Sequence, residues 1–310
     1  MSQRAKRLSL GAMVSSGVAA ARGQARLLVR LFLVEVAASL VFIGGAALAL
    51  RDRFGVRPLF ARGVAGDDEA LASVIGAEPG VFHSIGWVGI AWALTWALFS
   101  LYLGAGLLGA FAGRRFGETA GQKFGAFLRL WLYALLPWAI GLAVCGAGIA
   151  AADLETEDLL TLSRAIGRPL VALLPGLFVL GILSCAVDYA RARLVLTGGG
   201  PLRALGFGLG RALVRPTAFL HVVLYVLVWV AVSALYVAGT YGVAFAGFGG
   251  ALALFALRQV VAGARFVARS ATTAGQLRAL EVEVLEVREV VERLEPLRDL
   301  GEAEIAQRVE

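Results

Sequence analysis

Apolar stretches of about twenty residues recur along this chain of 310 residues, and each is long enough to cross a bilayer. In hydrocarbon every backbone N–H and C=O must be bonded within the protein, so an isolated spanning stretch has to be an α-helix. The blocks fall at 31–50, 82–108, 126–151, 170–187, 217–240 and 242–264. The expected fold is all-α: a polytopic transmembrane helical bundle of about six spans with a cytoplasmic amphipathic C-terminal helix. Composition agrees, since 59% of residues are hydrophobic and only 16% charged, against roughly a quarter charged in soluble domains.

Orientation follows from Asp188-Tyr189-Ala190-Arg191-Ala192-Arg193 and the Gly-rich turn that leads on to Arg215-Pro216. Arg clusters beside apolar blocks mark the cytoplasmic side. With this stretch inside, 23 of the 29 Lys and Arg fall in inner segments. Both termini are then cytoplasmic. The same distribution accounts for the net charge of +7 without nucleic acid, because no basic face carries base-stacking aromatics.

Three regions are expected: a basic cytoplasmic segment 1–30, a six-span domain 31–266 and a helical tail 275–310. The tripeptide Ala47-Leu48-Ala49 resembles a signal-peptidase site. The basic segment before it is too long for a signal-peptide n-region, so a retained first span is expected. In 51–81, Asp67 can cap a short helix carrying Leu71, Val74 and Ile75, lying on the outer surface or packed on the bundle ends. Gly104, Gly106, Gly109 and Gly113 have the small-residue spacing that lets helices approach closely. Spans five and six form a hairpin with a minimal outer turn.

After Gly198-Gly199-Gly200-Pro201, the residues Leu202, Leu205, Leu209 and Leu213 outline an amphipathic helix on the inner surface. Its Arg203, Arg211 and Arg215, with Arg191 and Arg193, are candidate contacts for anionic lipid headgroups. In the tail, Leu277, Leu280, Val284, Val287, Val291 and Leu294 are spaced as an a/d seam, and Pro296 ends the pattern. That seam serves self-association or a partner protein, or else packs on the protein's own inner surface.

Ionisable groups in a bilayer are functional suspects. Glu35, Arg129, Asp188 and Arg258 all fall near the inner ends of their spans, where two acids and two bases at similar depth can neutralise one another. Such a cluster forms an ion path, a headgroup site or a structural network. Cys145 and Cys185 lie at opposite depths, which argues against a disulfide. His83 and His221 are separated too, so no metal site is expected. Gly206-Phe207-Gly208-Leu209-Gly210 lacks the nucleotide fingerprint, and no cofactor is expected. No nucleophile–base constellation is visible, so an enzyme is not expected.

Asp188-Tyr189-Ala190-Arg191-Ala192-Arg193-Leu194-Val195, followed by an Ala-Leu-Gly-rich helix ending in Arg215-Pro216, resembles a pattern in uncharacterised bacterial six-pass proteins. These are similar to the membrane domain attached to some glycerophosphodiester phosphodiesterases. Gly106-Leu107-Leu108-Gly109 followed by Phe124 and Phe127 fits the same pattern, which covers about residues 25–270. The resemblance implies an inner-membrane helical bundle and no particular activity, since the phosphodiesterase catalytic domain is absent from these residues. The leading expectation is a non-catalytic accessory or scaffold protein that engages a partner through its tail and anionic lipids through its Arg clusters. The alternative is a transporter or lipid-handling permease that uses the polar cluster.

Overall fold

The computed structural model describes residues 9–54, 73, 76, 79–151, 162–214 and 217–309, and among these every regular element is helical. The helices are α1 (Leu10–Gly23), α2 (Ala25–Phe54), α3 (Pro79–Phe111), α4 (Phe116–Ala151), α5 (Leu162–Leu196), α6 (Pro201–Val214) and α7 (Thr217–Val309). Among the described residues, four stretches are long and apolar enough to span a membrane: His83–Phe111, Phe116–Ala150, Val171–Leu196 and Thr217–Leu235. The candidate surface helix after Asp67 and the end of the first inner-surface Arg series at Arg215 lie outside the described residues.

Local chemistry explains the boundaries. The Ser9 hydroxyl accepts the Ala12 N–H at 3.2 Å and caps α1. Gly113, at φ 72°, turns the chain between α3 and α4, and Gly198 and Gly199, at φ 74° and 91°, turn it before α6. Within the spans, Ser84, Thr95 and Ser100 donate to carbonyls three or four residues back, which satisfies their hydroxyls where no water is present.

Helix α7 is helical throughout by its backbone, yet it is not straight. Cys185 Sγ lies 3.4 Å from Thr217 Oγ1 and 3.3 Å from Gln276 Nε2. At 1.5 Å per residue a straight helix would hold Thr217 and Gln276 roughly 90 Å apart. The chain therefore doubles back into two antiparallel limbs. His221 of the first limb and Thr273 of the second meet at one carboxylate, a register that centres the reversal in the Gly-rich stretch 242–250. The second limb also continues through Pro296 to Val309. Proline forfeits its own backbone hydrogen bond and kinks a helix without always ending it.

The main core gathers at one end of the bundle, where α3 ends, α4 begins and α5 runs out into α6. Helix α5 is its axis and packs on α4, α6 and α7. A smaller cluster of Cys145, Leu173, Leu177 and Leu180 lies farther along α4 and α5. Helix α1 rests on the second limb of α7 through Met13, Gly17 and Ala21. A Cβ at Gly17 would collide with the Ala271 carbonyl, and one at Gly275 would meet the Met13 carbonyl at 2.5 Å, so these two backbones touch. Gly106 and Gly109 on α3 make room for the side chains of Phe116 and Thr119 at the start of α4. Leu136, Leu142, Val171 and Leu227 point outward, as lipid-facing side chains do.

Candidate functional site

Asp188 sits on α5 one turn beyond Cys185 and is only 2% exposed. A carboxylate this deeply buried has to be paired and hydrogen-bonded. Arg191 Nη1 donates to Oδ1 at 3.4 Å from the next turn of the same helix. Thr273 Oγ1 donates to Oδ2 at 3.3 Å, and Arg269, one turn before Thr273 on the second limb of α7, lies 3.8 Å from Oδ1. His221 of the first limb reaches Oδ2 through Nε2 at 3.3 Å.

The other nitrogen of His221, Nδ1, is 3.2 Å from the Thr217 carbonyl oxygen. Two guanidiniums and an imidazole therefore surround one buried carboxylate. Below them, Tyr189 Oη lies 3.2 Å from Thr217 Oγ1, and Gln276 Nε2 donates to Cys185 Sγ at 3.3 Å. Cys145 and Cys185 are both free.

Asp188, Arg191 and Arg269 open onto a cavity of about 270 Å³ that also takes in Glu35 of α2 and Ser270 and Thr273 of α7. The rest of its lining is mainly apolar and includes Leu31, Trp96, Leu103, Leu107 and Phe266. Buried Nε of Arg191 has no hydrogen-bond partner, and its guanidinium lies 5.9 Å from the Phe127 ring centre.

Of the four polar residues expected to converge, Glu35 and Asp188 share this cavity. Arg129 and Arg258 do not: both are exposed, turned away from it on the surfaces of α4 and α7. Arg191, Arg269 and His221 meet Asp188 instead. Depth along the bilayer was the basis for grouping the first four, whereas the direction of each side chain around its helix decides which ones meet.

The five candidate headgroup residues also divide. Arg191 is engaged with Asp188. Arg193 and Arg211 both lie against the Phe207 ring, at 4.5 and 5.2 Å from its centre, and Arg211 is salt-bridged to Glu283. Arg203 is exposed on α6, and Arg215 lies outside the described residues. In the tail, Leu277 and Leu280 are core residues at 0% and 4% exposure, so the start of the seam packs on the protein's own body. Val284 is exposed at 39%, and the side chains of Val287, Val291 and Leu294 lie outside the described residues.

No family model, curated protein or solved structure matches the chain. Among the described residues no group of His, Cys, Asp and Glu is placed to hold a metal ion.

Proposed function

We propose that this is a non-catalytic six-span protein of a bacterial inner membrane, with both termini cytoplasmic, that binds the charged headgroup of a membrane lipid in the cavity at Asp188. The supporting observation is the cavity's mixed lining, which sets Asp188, Arg191, Arg269 and Glu35 beside apolar side chains such as Leu31, Leu103 and Phe266. An amphiphile needs both surfaces at once. At about 270 Å³ the space is below the roughly 300–1,000 Å³ of pockets that enclose whole drug-sized ligands. It suits a headgroup whose chains stay among the exposed Leu and Val of the spans. Arg191 and Arg269 give the cavity two guanidiniums, whose planar N–H donors match the oxygens of an anionic group. This is the lipid-handling reading of the polar cluster.

The test is purification from native membranes in mild detergent, with the retained lipids identified and counted by mass spectrometry. Arg269→Gln should retain at least about tenfold less of the bound species, the scale of one lost charge-assisted contact. Arg258→Gln, on the exposed face, should retain as much as the parent protein. Equal retention in all three would refute lipid binding at this site.

A second reading, an accessory scaffold that docks a partner protein through its tail, is favoured by one observation. The helical backbone of α7 runs on to Val309, and among the described side chains the last core residue of α7 is Leu280. Deleting 286–310 should leave the bundle folded and remove any co-purifying partner. Deleting from 275 is not equivalent, because it strips Gln276, Leu277 and Leu280 from the core.

A further inference from the structure

Glu35 differs from the other charged groups of the cavity. Asp188 has Arg191, His221 and Thr273 within hydrogen-bonding distance and Arg269 as an ion-pair partner. Glu35 lines the same cavity from α2, and among the described residues no hydrogen bond or ion pair reaches its carboxylate. Arg265 and Arg269 act on it only through space. An ionised carboxylate accepts hydrogen bonds and donates none. Half-buried beside apolar side chains, it calls for a donor from whatever fills the cavity.

The cationic groups line the same space. Arg191 and Arg269 are held by Asp188 without being used up by it: Arg191 meets it through Nη1, and Arg269 contacts the carboxylate at 3.8 Å with 38% of its side chain exposed. Guanidiniums present several N–H donors in a plane and match phosphate oxygens. The cavity is therefore lined both by phosphate-binding groups and, within the same 270 Å³, by an acceptor that nothing else engages.

Resting on the lipid-binding reading above, we propose that the cavity selects a phosphodiester headgroup that carries an N–H or O–H donor beyond the phosphate. The phosphate lies on Arg191 and Arg269 and the donor on Glu35. An ammonium and a glycerol hydroxyl both meet this requirement. A quaternary trimethylammonium does not, because it has no hydrogen to give.

The experiment uses the full chain in nanodiscs of a phosphocholine lipid and follows displacement of a fluorescent phospholipid by dioleoyl phosphoethanolamine, phosphoglycerol or phosphocholine. The expected result is a preference of about tenfold for at least one donor-bearing lipid over phosphocholine, one charge-assisted hydrogen bond's worth. Glu35→Met should abolish that preference while binding of the phosphodiester itself persists. Because Glu35 makes no contact that the fold uses, this variant should keep the parent's melting temperature, which is measured alongside.

Glu35→Gln separates the two donors. A hydroxyl still finds the amide oxygen, so a phosphoglycerol preference survives, whereas an ammonium loses its ion pair. Displacement by all three lipids alike, or a preference unchanged in Glu35→Met, overturns the selectivity and leaves lipid binding standing. No displacement by any lipid, in a protein that Arg269→Gln does not alter either, removes the underlying reading as well.

Discussion

The two halves of α5 are built on different terms. In its first half Leu173, Leu177 and Leu180 form a single buried stripe, while Val171, Leu174 and Phe178 are exposed between them. In its second half every residue from Ser184 to Ala190 is buried, so protein surrounds the helix on all sides. Lipid tails are as apolar as Leu, so burying apolar surface does little to hold the first half in place. Close approach does more: Gly176 lets the Cys145 backbone in, and Gly148 meets the Ala172 carbonyl. The second half adds to such contacts, here Gly208 against the Ala186 carbonyl, a polar centre that ties α5 to both limbs of α7. A bilayer protein that keeps one end dense and polar and the other thinly packed has its specificity concentrated at the dense end.

Replacing Asp188 should break that contrast most severely. Asp188→Ala leaves Arg191, Arg269 and His221 facing one another without the carboxylate that each of them contacts. Removing one partner from a buried charge network typically costs about 3–5 kcal/mol. The expected outcome is a large fall in melting temperature, or failure to recover monodisperse protein, measured by thermal unfolding in detergent. If Asp188→Ala melts with the parent protein, the polar centre does not hold the dense end together.

Much of this arrangement was legible in the sequence, though unevenly. The helical class follows from the apolar blocks, and the doubling-back of α7 agrees with the expected pairing of spans five and six, displaced toward the glycines after Gly242. Glu35 and Asp188 were identifiable because carboxylates are rare in spans. Their partners were not, because block boundaries give depth and leave the facing direction undetermined. A signal was nevertheless present: Arg269, Thr273 and Gln276 recur at helical spacing just ahead of Leu277 and Leu280, which marks one polar-to-apolar face. That face straddles the expected boundary between membrane domain and tail, so neither region claimed it. Likewise Thr217 and His221, one turn apart at the start of a span, signalled a polar face that a search for His pairs overlooks.

The thinly packed half gives the smaller and finer test. Leu177 is buried at 8% exposure in the second cluster, whereas Leu136 on α4 is 71% exposed. In water both would favour burial, and Leu→Ala in a soluble core costs about 2–5 kcal/mol. In a bilayer the lost term at Leu177 is mainly packing, so Leu177→Ala should destabilise by roughly 1–2 kcal/mol. Leu136 exchanges one apolar contact for another, and Leu136→Ala should stay within about 0.5 kcal/mol of the parent. Both are read by reversible unfolding in bicelles. A cost at Leu136 equal to that at Leu177 would mean that the outward face of α4 is covered by protein, a second copy of the chain or a partner, and the contrast between the two halves would then belong to the isolated chain alone.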